Sequence, residues 1–342
     1  MRCLTLANAL HEKGAEITFI CREHPGHLFD LIESSNHRLL RLPLSKGSTE
    51  GRLAHAHWLG ATQEEDAQQT IEVLTKTIGH IDWLVIDHYA LGVEWETALR
   101  AYAERIMVID DLADRVHDCD MLLDQNFYRD MERRYEKLVP PRCKKLLGPK
   151  YVLLRPEFKE ARSNLKVRDG SVKRIFVFFG GSDLTNETGK TLRAIQQLSR
   201  TDIAIDVVVG AANPHLEDIA SFCATLPEAK LYRQINNMAE LMARDDLAIG
   251  AGGSSMWERC YLELPALTTV SAANQERTTQ DVADTGAIEY LGWADQLDSS
   301  DYARAIAEMV ENPQRVRRIG SKAIKLMQQT GASVSEAMSN YV

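Results

Sequence analysis

The 342-residue chain is short of several features that would assign it quickly. No apolar run approaches the roughly 20 residues of a membrane span, and the first residues lack the basic, apolar, small-residue order of a secretory leader. The six cysteines are scattered and form no C-x-x-C pair. Several sit in apolar runs, where a small buried thiol is the ordinary role, so a reduced, cytoplasmic setting is expected. The ten histidines include His55 and His57, and His24 and His27, but neither pair has a third ligand at metal-binding spacing, so no metal site is expected. Positive charge is also scarce. A net charge of −9 argues against a nucleic-acid partner, whose affinity would rest on a basic surface. Local basic patches remain, of which KLVPPRCKK at 137–145 is one, and it reads as a solvated loop.

What is present is an alternation of apolar strands and amphipathic helices. Hydrophobic residues make up 44% of the chain and charged residues 26%, ordinary for a globular protein long enough for two domains. Leu4, Leu6, Ala7 and Leu10 share a helical stripe that Gly14 ends, and EITFICR (16–22) follows as a strand. HRLLRLPL (37–44), a polar stretch SKGSTEG (45–51), a helix over 62–78, and strands within WLVIDHYALG (83–92), ERIMVIDD (104–111) and DMLLDQN (120–126) complete the first half. Apolar runs ending in polar residues are the mark of parallel strands whose C-terminal ends face a site. A charged segment, 151–174, reads as a linker. Beyond it lies a second α/β series: RIFVFFGG, IAIDVVVG, AKLYRQI, DLAIGAGG, PALTTV and AIEYLGW, with helices between and after. The division expected is an N-terminal domain over 1–160 and a C-terminal domain over 161–342, with the last helix in the second.

The second series opens strand, glycine turn, helix, whereas the first opens at a helix. Two units of like construction would both begin with a central strand whose exit loop builds the site. The expectation is therefore that the first strand and turn of the N-terminal unit lie ahead of Met1, at a cost in stability to that unit.

Four constellations could carry chemistry. In LAIGAGGSSMWERCYLELPALTTVSAANQ (247–275), a buried strand ends in Gly250, Gly252 and Gly253, and Ser254 and Ser255 open a helix. Glycines admit close backbone approach, and a helix start attracts anions, so phosphate binding is one reading. Glu258, one turn on, could clamp a ribose diol. On spacing alone Ser255 and Glu258 read better as a capping box, and the glycines tip the balance towards a ligand. The second, FFGGSDLTNETG (178–189), places Gly180, Gly181 and Ser182 at another strand-to-helix turn, either facing a diphosphate or forming a tight turn with Ser182 or Asp183 as cap and Asn186 further on. Neither loop has the form G-x-x-x-x-G-K-[ST] or G-x-G-x-x-G. The third, Asp87, His88 and Tyr89, is a polar strand end that serves a cleft or merely its own hydrogen bonds. The fourth is Asn274 and Gln275 beyond PALTTV, where side-chain amides could read a sugar. Asp110, Asp111 and Asp114 suggest Mg²⁺ at first sight but fit a solvated loop or a helix-start cluster better.

These motifs resemble the UDP-sugar hydrolases of pseudaminic acid biosynthesis, which belong to the GT-B, MurG-like proteins. MRCLTLANAL, ITFICRE, VIDHYALG, DDLADRVHDCDMLLDQN, GPKYVLLRPEF, FFGGSD and GAGGSSMWERCYLELPAL occur in that family's order and spacing, across essentially the whole chain. The resemblance implies a GT-B-like α/β fold with two Rossmann-type parallel-sheet domains. It also implies hydrolysis of a UDP-linked 2,4-diacetamido-2,4,6-trideoxyhexose at the anomeric carbon, by a cytoplasmic monomer needing no cofactor. Carried over residue by residue, Gly253, Ser254 and Ser255 would contact phosphate and Glu258 the ribose. Gly180, Gly181, Ser182 and Asn186 would line the diphosphate and sugar. Asn237 and Met238 would meet uracil, Gln275 the sugar, and Tyr89 and Asn274 the sugar and the attacking water. The family's catalytic histidine would lie just ahead of Met1, in the expected strand and loop, and His88 matches a position other than the base. The alternatives are a GT-B glycosyltransferase and a non-catalytic UDP-sugar-binding protein.

Overall fold

Twelve parallel strands form three sheets in a computed structural model, which describes residues 1–45, 52–77, 79–327 and 333–341. Of the polar stretch 45–51, only Ser45 is among them. The chain divides into two units: Met1–Asn126, Asp130–Leu153 and Gly331–Val342 in the first, Phe127–Arg129 and Leu154–Thr330 in the second.

The first unit holds β1 (Thr18–Arg22) paired with β2 (Arg38–Leu42), and a separate sheet in the order β3 (Ile81–Ile86), β4 (Ala103–Ile109), β5 (Met121–Asp124), β6 (Lys144–Leu147). Met121, Leu122 and Leu123 of β5 are wholly buried, as the continuous apolar runs of a doubly covered parallel sheet require. One face of the four-stranded sheet is covered by the Arg2–His11 helix, through Leu6, and by the Val334–Ser339 helix, through Val334, Ala337 and Met338; these pack with Met107, Ile109 and Leu123. Tyr341 fixes the latter helix by donating to the Asp120 carbonyl at 3.0 Å. On the other face Ile20 of β1 packs against the cluster that contains Ile86, Trp95, Ile106 and Leu122. Among the described residues β1 and β3 each pair along one edge only, and most of their residues are half-buried.

The second unit is one six-stranded sheet, ordered β12 (Glu289–Trp293), β11 (Ala266–Val270), β10 (Leu247–Ala251), β7 (Arg174–Phe178), β8 (Ala204–Val209), β9 (Ala229–Arg233). The chain winds outward from β7 to β9, then returns to lay β10 on the other side of β7. The strand order therefore reverses between β7 and β10, and the crevice beyond their C-terminal ends is where open α/β sheets bind ligands. Gly250 pairs in register with Phe178. A Cβ on Gly250 would stand 2.2 Å from the Phe178 carbonyl oxygen, so a glycine is what lets these strands end side by side.

Three expectations need correction. The charged segment 151–174 is not a loose linker: it contains the helix Pro156–Ser163, and Phe158 is wholly buried. Its arginines turn inward onto helix ends. Arg168 donates to the carbonyls of Asp245, Leu262, Met242 and Ala243 at 2.7–3.2 Å, supplying orphan acceptors at the C-termini of the Met238–Arg244 and Ser254–Tyr261 helices. Arg162 bonds the Tyr261 carbonyl and, at 2.9 Å, the Glu263 carboxylate. The division consequently falls at 153/154 rather than 160/161. The last helix, Val334–Ser339, belongs to the first unit rather than the second, because its apolar face completes that unit's core.

Candidate functional site

Every residue singled out in the second unit follows a strand of one parallel sheet. Gly180, Gly181, Ser182 and Asn186 follow β7, Asn237 and Met238 follow β9, Gly253, Ser254, Ser255 and Glu258 follow β10, and Asn274 and Gln275 follow β11. The topology thus brings four separate loops to one sheet edge, two of them at the strand-order reversal.

The loops after β7 and β10 differ in how their helices begin. After β7, Asp183 is buried at φ 41° and accepts from the backbone N–H of Glu187 at 2.9 Å and of Thr188 at 3.0 Å. Asn186, at φ 55°, caps the Glu187–Leu198 helix by accepting from Gly189 at 3.0 Å. The orphan donors of that helix are satisfied from within, so the capping reading of Asp183 and Asn186 describes the structure. Gly180 (φ 95°) and Gly181 nonetheless keep open space where a Cβ would project, and Ser182 is exposed.

After β10, Gly253 takes φ 101° and the Ser254–Tyr261 helix starts with no side chain capping it. Ser254 is exposed and Ser255 half-buried. The capping box that the spacing of Ser255 and Glu258 alone favours does not form. The helix starts at Ser254, which puts Ser255 inside the first turn, and the Glu258 carboxylate turns to Arg155 at 3.3 Å instead. An uncapped helix start on a glycine turn presents backbone N–H groups and the positive end of the helix dipole to an anion. Beneath it lies Arg259, wholly buried, donating to the Ala251 carbonyl at 2.8 Å while its Nε and Nη1 find no hydrogen-bond partner among the described residues. Burial pulls its pKa down to about 10, so it remains a cation at neutral pH and adds positive potential under the loop. Gln275 closes one side: its Nε2 lies 3.4 Å from where a Gly253 Cβ would be, and its Oε1 accepts from the Ser271 N–H at 3.4 Å. Asn274 is exposed in the first turn of the Ala273–Thr285 helix. Asn237 precedes the Met238–Arg244 helix and donates to Glu240 at 3.0 Å, while the Met238 side chain is buried.

In the first unit the strand ends carry a polar network. Tyr89 donates to Asp111 at 2.6 Å, Arg2 pairs with Asp87 at 2.6 Å and with Asp111 at 3.3 Å, and Asn126 donates to Asp111 at 3.2 Å. Burial works against the Asp87 carboxylate, but the hydrogen bond and charge of Arg2 hold its pKa below the ordinary range. Burial, then the Asp111 charge, pushes the Tyr89 phenol up, so it stays a hydrogen-bond donor. His88 accepts from the Ala90 N–H through Nδ1 at 3.1 Å, which leaves its proton on Nε2, and burial lowers its pKa. The Asp110, Asp111 and Asp114 group is not a solvated loop as expected. Asp110 is wholly buried and pairs with Arg115 at 2.8 Å, Asp114 pairs with the same guanidinium at 2.9 Å, and Asp111 is engaged as above. Arginines neutralise this acidic group where a metal would otherwise have to. No cluster suited to a metal occurs among the described residues.

Arg155, Arg259 and the Arg2 pairing escaped the sequence reading. Only Arg155 had a signal, the following Pro156, which marks a helix start.

The fold and the open loop define a GT-B-type protein of the nucleotide-sugar-related kind. The sequence profile described as "Glycosyltransferase family 28 C-terminal domain" matches residues 174–335. The UDP-2,4-diacetamido-2,4,6-trideoxy-beta-L-altropyranose hydrolase of Campylobacter jejuni is 30% identical over 210 residues, 60% of this chain and 73% of that one. The spore coat polysaccharide biosynthesis protein SpsG of Bacillus subtilis is 35% identical over 146 residues, 42% of this chain and 43% of the relative, less than half of its length. Among solved structures, MurG of Acinetobacter baumannii superposes with a TM-score of 0.62 at 14% identity, covering 95% of this chain and 90% of that one. Arabidopsis thaliana UGT89C1 does so with a TM-score of 0.65 at 14% identity, covering 99% and 94%. At such identity these two show the fold alone. The chain belongs to the same family as the Campylobacter jejuni protein, and its second half carries the match to the glycosyltransferase family 28 C-terminal domain. No helix among its described residues is long and apolar enough to cross a membrane.

Proposed function

We propose that the chain hydrolyses a UDP-linked 2,4-diacetamido-2,4,6-trideoxyhexose at its anomeric carbon, releasing UDP and the free sugar for pseudaminic acid biosynthesis, as a cytoplasmic monomer. The observation that carries this reading is the uncapped start of the Ser254–Tyr261 helix at the strand-order reversal, with the carboxylate of Glu258 one turn along. In support stand the hydrolase relative in Campylobacter jejuni and the motif resemblance along the whole chain.

On this reading Gly253, Ser254 and Ser255 hold the diphosphate by N–H and hydroxyl donors, with Arg259 adding charge from below. Glu258 accepts from the ribose hydroxyls, and the backbone at Asn237 and Met238 meets uracil. Gly180, Gly181 and Ser182 serve the diphosphate and sugar through backbone and hydroxyl, because the Asn186 carbonyl is engaged in its own cap. Gln275 reads the sugar, and Tyr89 and Asn274 face the sugar and the water. The water oxygen bonds to the anomeric carbon as the bond to the UDP oxygen breaks, with inversion, and the water's proton passes to a base. UDP is a good leaving group, so a dedicated general acid matters less than in ordinary glycoside hydrolysis. A neutral histidine, whose pKa lies near working pH, is the kind of group that suits the role of base.

The test is release of UDP from the UDP-sugar by the full chain, with no acceptor sugar present. Steady release supports the hydrolase. Release only when an acceptor is added identifies a glycosyltransferase, the reading that the family 28 profile favours. Binding without release under either condition identifies a UDP-sugar-binding protein.

A further inference from the structure

We propose that Arg155 is a positioning residue for Glu258, fixing that carboxylate in the orientation that accepts a ribose diol and so making the site select ribonucleoside over 2′-deoxyribonucleoside diphosphates. The inference rests on the nucleotide reading of the Gly253 loop and deepens it. Arg155 stands immediately before the Pro156–Ser163 helix, and its guanidinium is held on three sides. It lies 5.1 Å over the ring of the wholly buried Phe158, its Nη1 is 3.1 Å from Glu157 Oε1, and its Nη2 donates to Glu258 Oε1 at 3.3 Å. Glu258 Oε2 makes no hydrogen bond among the described residues and is not shut away from solvent, so one carboxylate oxygen is tethered and the other is free to accept. A planar guanidinium pre-organised by stacking loses little freedom in making such a bond, which a lysine ammonium does not match.

The same contact governs the charge state of the clamp. Burial pushes the Glu258 carboxyl above the ordinary glutamate range, Arg155 pulls it back, Glu157 on the same side adds to the rise, and Arg259 in its own helix opposes it. The Pro313–Met327 helix, which also packs against the Ser254–Tyr261 helix, brings no ion pair to Glu258 among the described residues. Only the carboxylate accepts from both ribose hydroxyls, so the diol interaction is lost as pH falls through the Glu258 pKa. Removing Arg155 moves that loss to higher pH.

The experiment titrates UDP and 2′-deoxy-UDP calorimetrically into the full chain, wild type and Arg155→Met and Arg155→Lys, between pH 5.5 and 8.5. The wild type is expected to prefer UDP by roughly tenfold or more, the worth of a charge-assisted hydrogen-bond pair. In Arg155→Met the preference shrinks to within about threefold across the range, most at the lowest pH. Arg155→Lys keeps a cation beside Glu258, stays folded if the methionine variant does not, and shows the wild-type pH dependence with a reduced preference. Arg155→Met with the wild-type preference at every pH overturns the proposal while leaving the nucleotide reading intact. Equal loss of both nucleotides also overturns it, since Arg155 would then touch the phosphates. A wild type that binds neither nucleotide removes the nucleotide reading and this inference with it.

Discussion

The loops after β7 and β10 look alike in sequence, each a buried strand, paired glycines, a serine and then a helix, yet they do different things. The first is stoppered by its own side chains: Asp183 and Asn186 accept from the backbone N–H groups that an incoming anion would need. The second is left open, with Gly253 at the cap position, no side-chain acceptor, and a buried guanidinium beneath. A helix N-terminus therefore becomes a site when its own sequence declines to satisfy it. The glycines position both loops, and the residue at the cap decides which one has donors to spare.

Three substitutions probe that contrast, in order of expected effect. Gly250→Val would drive a side chain into the Phe178 carbonyl oxygen, 2.2 Å from where its Cβ must stand, and wedge apart the strands from which both loops leave. We expect the second unit to lose about 3 kcal/mol, read as an earlier melting transition. Asp183→Ala would open the stoppered loop and strand two buried N–H groups, costing about 1–2 kcal/mol in thermal or urea melts. Ser254→Asp would make the open loop resemble the stoppered one. A carboxylate in an uncapped first turn complements the helix dipole, and a gain of about 0.3–1 kcal/mol is expected in the same melts.

The same contrast shows what was legible in the residues alone. Alternating strands and helices gave the parallel sheets of both units, and the glycine-ended strands are the two that lie side by side at the strand-order reversal. The capping alternative for Asp183 and Asn186 was legible too, because Asp and Asn beside a helix start bond backbone readily. Glu258 was harder. The capping-box spacing misled because the helix begins two residues earlier than the box requires, and the partner the carboxylate takes instead lies 103 residues away. Pairings over such distances leave no local pattern. The charged texture of 151–174 misled for a related reason: the guanidiniums of Arg162 and Arg168 face helix-end carbonyls rather than water, and sequence shows a charge but not the direction in which it points.

The most direct test of the account is calorimetric titration of UDP into the full chain and into Ser254→Asp. The account predicts that the wild type binds, and that the variant, equally well folded, binds on the order of 100-fold more weakly, because its own carboxylate occupies the anion position and repels the diphosphate. Equal binding by the two proteins would contradict it and place the nucleotide somewhere other than the open loop after β10.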